Sequence, residues 1–200
     1  MLREGLGFDR CKVAVVTNLG GGDHLGLNYI TTLEDLTVLK RVIVLNVEPE
    51  GMAVLNAADP AVAAMAPHCP GDVTFFALEV TQPVLAAHRA QGRRVVFVDN
   101  GAIVAQQGKQ IFRIPLSQVP LTLGGQIGFQ TENVLAAVGA AWAVGTPWDA
   151  IAQGLATFIS DVQGVPGRFN VFSYRGATLI ADYGHNPDAV QALVQAVDNM

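Results

Sequence analysis

The run Val13-Ala14-Val15-Val16-Thr17, leading into Asn18-Leu19-Gly20-Gly21-Gly22-Asp23-His24, decides the fold. Its first half is an unbroken apolar stretch, the pattern of a strand buried on both faces within a parallel sheet. Its second half is a polar, Gly-rich turn at the carboxyl end of that strand, the edge of open α/β sheets where ligands bind.

Working outward, Leu33, Leu36, Leu39, Val42 and Ile43 recur at helical spacing, with Thr32 as N-cap. Short strands are expected around Ala53-Leu55, Val73-Phe76 and Val95-Val98, with helices at Pro60-Ala66 and Pro83-Ala90 between them. This alternation argues for an α/β layer architecture with a mainly parallel sheet. Ala102-Ala105 and Ile111-Ile114 follow Val95-Val98 across turns at Asp99-Asn100-Gly101 and Gln107-Gly108-Lys109. Those hairpin signals predict an antiparallel edge of two or three strands. Two helices come next. Thr131 is expected to cap the first, which ends at Gly145. Thr146-Pro147-Trp148-Asp149 opens the second, with Thr146 as cap and Ile151, Leu155 and Phe158 as its buried stripe. Gln163-Gly164-Val165-Pro166-Gly167 is loop chemistry and marks a candidate boundary. Beyond it, a hairpin over Arg175-Gly176 precedes a last helix from Asn186-Pro187-Asp188. One hairpin and one helix bury too little to be a domain, so 1–163 and 164–200 are read as one domain and the truncated start of another.

Composition narrows the function. Half of the 200 residues are hydrophobic, 14% are charged and the net charge is −5. There is no Lys/Arg cluster, which argues against a protein that holds nucleic acid by its backbone. Apolar runs of a few residues fall far short of a membrane span. Met1-Leu2-Arg3-Glu4-Gly5 carries no apolar leader, so a cytoplasmic protein is expected, and Cys11 and Cys69 read as buried reduced thiols.

Five places carry possible chemistry. In Asp23-His24, after the glycines, either side chain suits a metal that holds phosphates; the rival reading is a tight turn with a capping Asp. Lys40 is a solvated helix lysine unless it turns into a site. Asn133, in Thr131-Glu132-Asn133, either meets a base edge or helps cap a helix. Arg168, framed by Pro166-Gly167, either reaches a phosphate bidentately or forms a surface ion pair. In Asp182-Tyr183-Gly184-His185-Asn186-Pro187-Asp188, Asp182 can accept from a sugar hydroxyl and His185 is well placed. There Asn186 caps the following helix and Asp188 answers its dipole. Such a set suits a nucleotide and metal site between two domains without naming a reaction.

Several of these motifs resemble a known family. Asp23-His24-Leu25, Gly167-Arg168-Phe169 and Asp182-Tyr183-Gly184-His185-Asn186-Pro187 are similar to elements of Mur ligases in general. Leu6-Gly7-Phe8-Asp9-Arg10-Cys11 and Asp23-His24-Leu25-Gly26 resemble the branch that makes cyanophycin. Thr32–Leu36 with Lys40, Val54–Pro60, Pro120–Gly125 and Glu132-Asn133 extend the likeness over nearly the whole chain. The resemblance implies an α/β central-domain fold, a mainly parallel sheet with an antiparallel edge, and the beginning of a Rossmann-like C-terminal domain. It also implies ATP-dependent amide ligation through an acyl phosphate, with Mg2+ bridging phosphates. In the cyanophycin branch, arginine is joined to side-chain carboxylates of a poly-aspartate primer, in an enzyme expected to be a homo-oligomer.

Carried over by position, His24 resembles the magnesium ligand, and Lys40 falls where many relatives carry a carbamylated lysine; both are expected to be catalytic. Asn133 resembles the adenine contact, Arg168 the arginine that reaches ATP phosphates, and Asp182 the ribose contact, with His185 and Asn186 lining the same cleft. Two departures stand out. The Gly-x-x-Gly-Lys-Thr phosphate loop does not occur in these residues, and Ala58 stands where many relatives have a second acidic residue. The polypeptide by itself is therefore expected to be inactive. The alternatives are another Mur-type ligase, such as a folylpolyglutamate synthase or a peptidoglycan precursor ligase, and a non-catalytic binding subunit.

Overall fold

The computed structural model describes residues 5–20, 25–26 and 29–200. Its six-stranded sheet runs in chain order: β1 (Cys11–Val16), β2 (Val47–Asn56), β3 (Asp72–Glu79), β4 (Val95–Asp99), β5 (Ala102–Gln107) and β6 (Gln110–Pro115). β1 to β4 are parallel; β5 and β6 add an antiparallel edge. The expected α/β class, with its mainly parallel sheet and antiparallel edge, is what the chain adopts. Asn100 and Gly101, at the β4–β5 turn, have φ of 48° and 69°. Two successive positive φ values are what a tight hairpin turn demands, and Asn-Gly supplies them at low cost.

The parallel strands are joined by α1 (Leu33–Leu45), α2 (Pro60–Ala63) and α3 (Pro83–Ala90). Period-two alternation assigns the two sheet faces. Ala53, Leu55, Phe75, Val95 and Phe97 share a core with Leu36, Val44, Val62 and Leu85 of these three helices. The intervening Val54, Phe76 and Val96 pack with Val134, Leu135, Val138 and Trp142 of α4 (Gly128–Ala143) and Ile151 of α5 (Trp148–Thr157). Helices thus cover both faces, and the strand interiors read as continuous apolar runs.

Local chemistry sets the helix ends. Thr32 and Asp35 form a reciprocal capping box at the start of α1, as its spacing predicts. Four expectations need correction. Thr131 does not cap α4: the helix begins at Gly128, and Thr131 is buried inside it with its hydroxyl donating to the Ile127 carbonyl at 3.0 Å. Thr146 does not cap α5: Pro147 stands at the N-cap with no side-chain cap bond, and the Thr146 N–H closes the preceding helix on the Ala141 carbonyl. Phe158 lies just past α5 and is exposed rather than part of a buried stripe. Cys11 and Cys69 are free thiols, half-buried rather than fully buried.

A second, two-stranded sheet pairs β7 (Asn170–Tyr174) with β8 (Ala177–Ala181) over Arg175-Gly176, and α6 (Pro187–Asp198) follows. A small apolar cluster holds this unit to the start of α4: Phe169 and Ala196 pack on Ile127, with Phe129, Ile180 and Leu193 around them. No described helix is long and apolar enough to cross a membrane.

Candidate functional site

The exits of β1, β2 and β8 and the starts of α4 and α6 enclose one cleft of about 980 Å³. Each exit is held by a polar side chain. Asp59, after β2, caps α2 with one carboxylate oxygen, which accepts from Ala61 and Val62 N–H at 2.9 and 3.1 Å. Its other oxygen accepts from Leu19 N–H at 2.9 Å, so the turn after β1 is tied to the turn after β2. Asn56, at the tip of β2 and buried, accepts from Ala58 N–H at 2.8 Å. That bond fixes its carboxamide, and Asn56 and Glu132 both line the cleft.

On the other side, Asp182 holds both strands of its turn. One oxygen accepts from Phe169 N–H at 2.9 Å and the other from Gly184 N–H. Phe169 has φ of 52°, a conformation costly for a bulky residue. The Asp182 bond and the packing of the Phe169 ring on Phe129, centroids 5.5 Å apart, hold it there. This strained residue aims its neighbour Arg168, whose guanidinium lies 5.7 Å from the Tyr183 ring centroid. Asn186 caps α6 by accepting from Ala189 N–H at 2.8 Å, and Nδ1 of His185 lies 3.2 Å from the Tyr183 carbonyl oxygen.

Asn133, Arg168, Asp182, His185 and Asn186, far apart in sequence, therefore line one hollow, together with Thr17 and Asn18. Asn133 is exposed and donates to the Gln130 side chain at 3.2 Å. Lys40 sits half-buried on α1 and is not among the lining residues. His24, expected as both catalytic and metal-binding, lies outside the described residues. Among those described, no three His, Cys, Asp or Glu side chains are grouped to hold a metal.

Sequence reasoning passed over Asn56, Asp59 and Glu132. Glu132 is half-buried, and desolvation pushes its carboxyl above the usual carboxylate range, with the Asn56 amide acting in the opposite sense. A carboxylate inside an otherwise apolar helix stripe was the available signal.

The cleft thus lies at the carboxyl ends of parallel strands and is closed by the β7–β8 lobe. The family model for the Mur ligase middle domain matches residues 5–141. The chain belongs to this family. It is 38% identical over all 200 residues to the cyanophycin synthetases of Synechocystis sp. and Crocosphaera subtropica, and spans 23% of the length of each. The MurF ligase of Thermotoga maritima, solved in complex with ADP, has the same fold: TM-score 0.63 at 22% identity, over 95% of this chain and 40% of that one. This Mur-type middle domain accordingly carries the sheet and helices of an ATP-dependent ligase family.

Proposed function

We propose that the cleft binds ATP and that the chain is part of a cytoplasmic, homo-oligomeric ligase of the cyanophycin-synthetase kind, with residues 1–163 from its central domain and 164–200 beginning the next. In this reading, Asn133 faces the adenine, Asp182 the ribose and Arg168 the phosphates, with His185 and Asn186 on the same wall. The single observation that carries the reading is the convergence of these five residues, from α4, the 158–169 segment and the β8–α6 turn, on one hollow.

The electrostatics agree with it. Arg168 is the arginine of the cleft lining and can grip two phosphate oxygens at once. The carboxylates of Asp59 and Asp182 are engaged by backbone N–H groups, which offset the charge they would otherwise set against a triphosphate. His24 would be the protein ligand of a magnesium ion that neutralises phosphate charge, and Lys40 would assist. The described residues alone do not form a cage for the metal.

The reaction is the joining of arginine to side-chain carboxylates of poly-aspartate. The carboxylate takes the γ-phosphoryl group of ATP and ADP leaves; the arginine amine then attacks the acyl phosphate, expelling phosphate and giving up a proton as the amide forms. Fixed donors that lower the charge of that transfer are the expected contribution of such a site. The 200 residues contain no Gly-x-x-Gly-Lys-Thr loop, so by themselves they bind nucleotide without turning it over.

The test is calorimetric titration of the chain with ATP. Arg168→Ala should weaken binding by about tenfold or more, as expected for loss of a charge-assisted contact, and leave the melting temperature nearly unchanged. Equal affinity in both proteins removes Arg168 from the site.

A further inference from the structure

Glu132 is a half-buried carboxyl on the wall of the cleft, and among the described residues no ion pair joins it to a cation. The neutral amide of Asn56, held in one orientation by Ala58 N–H, lines the cleft with it. A carboxylate so placed has acceptor capacity left over, and a ligand that fills the cleft must supply a donor or leave the charge poorly solvated. Two other lining carboxylates differ. Asp59 and Asp182 each bond backbone N–H groups with both oxygens.

The phosphates of a nucleotide would meet this carboxyl only across a bridging cation. The ligand end that carries hydrogen-bond donors meets Glu132 directly. Asn133, one residue on, lines the same cleft and is the residue assigned to the base in the proposed function. Phe129 and Leu121 supply apolar lining nearby, as a flat aromatic ring requires.

Resting on that nucleotide-site reading, we infer that Glu132 selects the purine base: its carboxylate accepts from the exocyclic amino group of adenine and repels the carbonyl oxygen that hypoxanthine and guanine carry at the same ring position. Adenine presents a donor there and guanine an acceptor, so one carboxylate separates the two by attraction and by repulsion. A site built to meet a particular donor rejects the analogue that lacks it more strongly than an apolar pocket rejects a change in size.

The experiment compares ATP with ITP, which replaces the amino group with a carbonyl, in calorimetric titrations of the full 200-residue chain. Wild type should bind ATP at least about tenfold more tightly than ITP. In Glu132→Gln the amide can turn either its oxygen or its NH2 to the ring. The preference should then fall to about threefold or less, chiefly through improved ITP binding. In wild type it should also shrink as pH falls and the carboxyl takes a proton, a reading that needs no variant to fold. Equal wild-type affinities for ATP and ITP, an unchanged ratio in Glu132→Gln, or a loss confined to binding of free Mg2+ would each overturn the inference and leave the nucleotide site standing. Failure of wild type to bind either nucleotide would instead overturn the proposed function.

Discussion

Asp182 and Glu132 show how two carboxylates in one cleft come to opposite tasks. Asp182 bonds Phe169 and Gly184 N–H groups and so acts first as a clamp on the turn that carries Arg168. The sequence marks Asp182 through its strand-end position and its similarity to a family motif. It gives no hint that Asp182 grips Phe169, because that bond joins residues 13 apart and depends on the positive φ at Phe169. Glu132 is the harder residue to read. In sequence it looks like a first-turn acid near a helix start, and only the tip of β2 packed against α4 makes it a desolvated group. Its raised carboxyl has a consequence for stability. A carboxyl that holds its proton more tightly in the folded chain contributes most below the unfolded value of about 4.3 and loses that contribution as pH rises through the native value. Glu132→Gln, neutral throughout, should therefore gain stability relative to wild type as pH rises above about 4. Chemical denaturation at several pH values checks this, and a difference independent of pH would remove the desolvation account.

At the scale of elements, the strands and hairpin turns are the legible part. Alternating apolar runs and the Asn100-Gly101 and Arg175-Gly176 turns fix both the parallel core and the antiparallel edge. The helix starts of α4 and α5 mislead by four residues and by one, for a physical reason. Thr131 can satisfy its hydroxyl on the Ile127 carbonyl inside the helix, and Pro147 takes the N-cap place of α5, with Thr146 one residue before it. The first half of β2, Val47-Glu48-Pro49-Glu50-Gly51, is polar enough to hide a strand. Packing of α4 on the sheet depends on Gly139, where an added Cβ would lie 2.7 Å from Cγ1 of Val54. Val54 is fully buried and β-branched, and has nowhere to turn. Gly139→Ala should therefore destabilise the fold by about 1–2 kcal/mol even though alanine favours the helix. A rise in the denaturation midpoint would show that helix and sheet have room to part.

For the whole molecule, the two sheets meet through a small apolar cluster and a shared cleft, and the candidate site exists only where they meet. Asn133 stands on one side of that junction; Arg168, Asp182, His185 and Asn186 stand on the other. Their convergence is legible from sequence only through the family resemblance, since spacing alone cannot bring residue 133 to residue 182. Hydrogen–deuterium exchange of the chain with and without ATP addresses this most directly. Protection should rise together in 17–20, 131–134, 167–170 and 182–187, and little elsewhere. Protection in only one of these segments, or on the outer face of β5 and β6, would contradict a common nucleotide cleft.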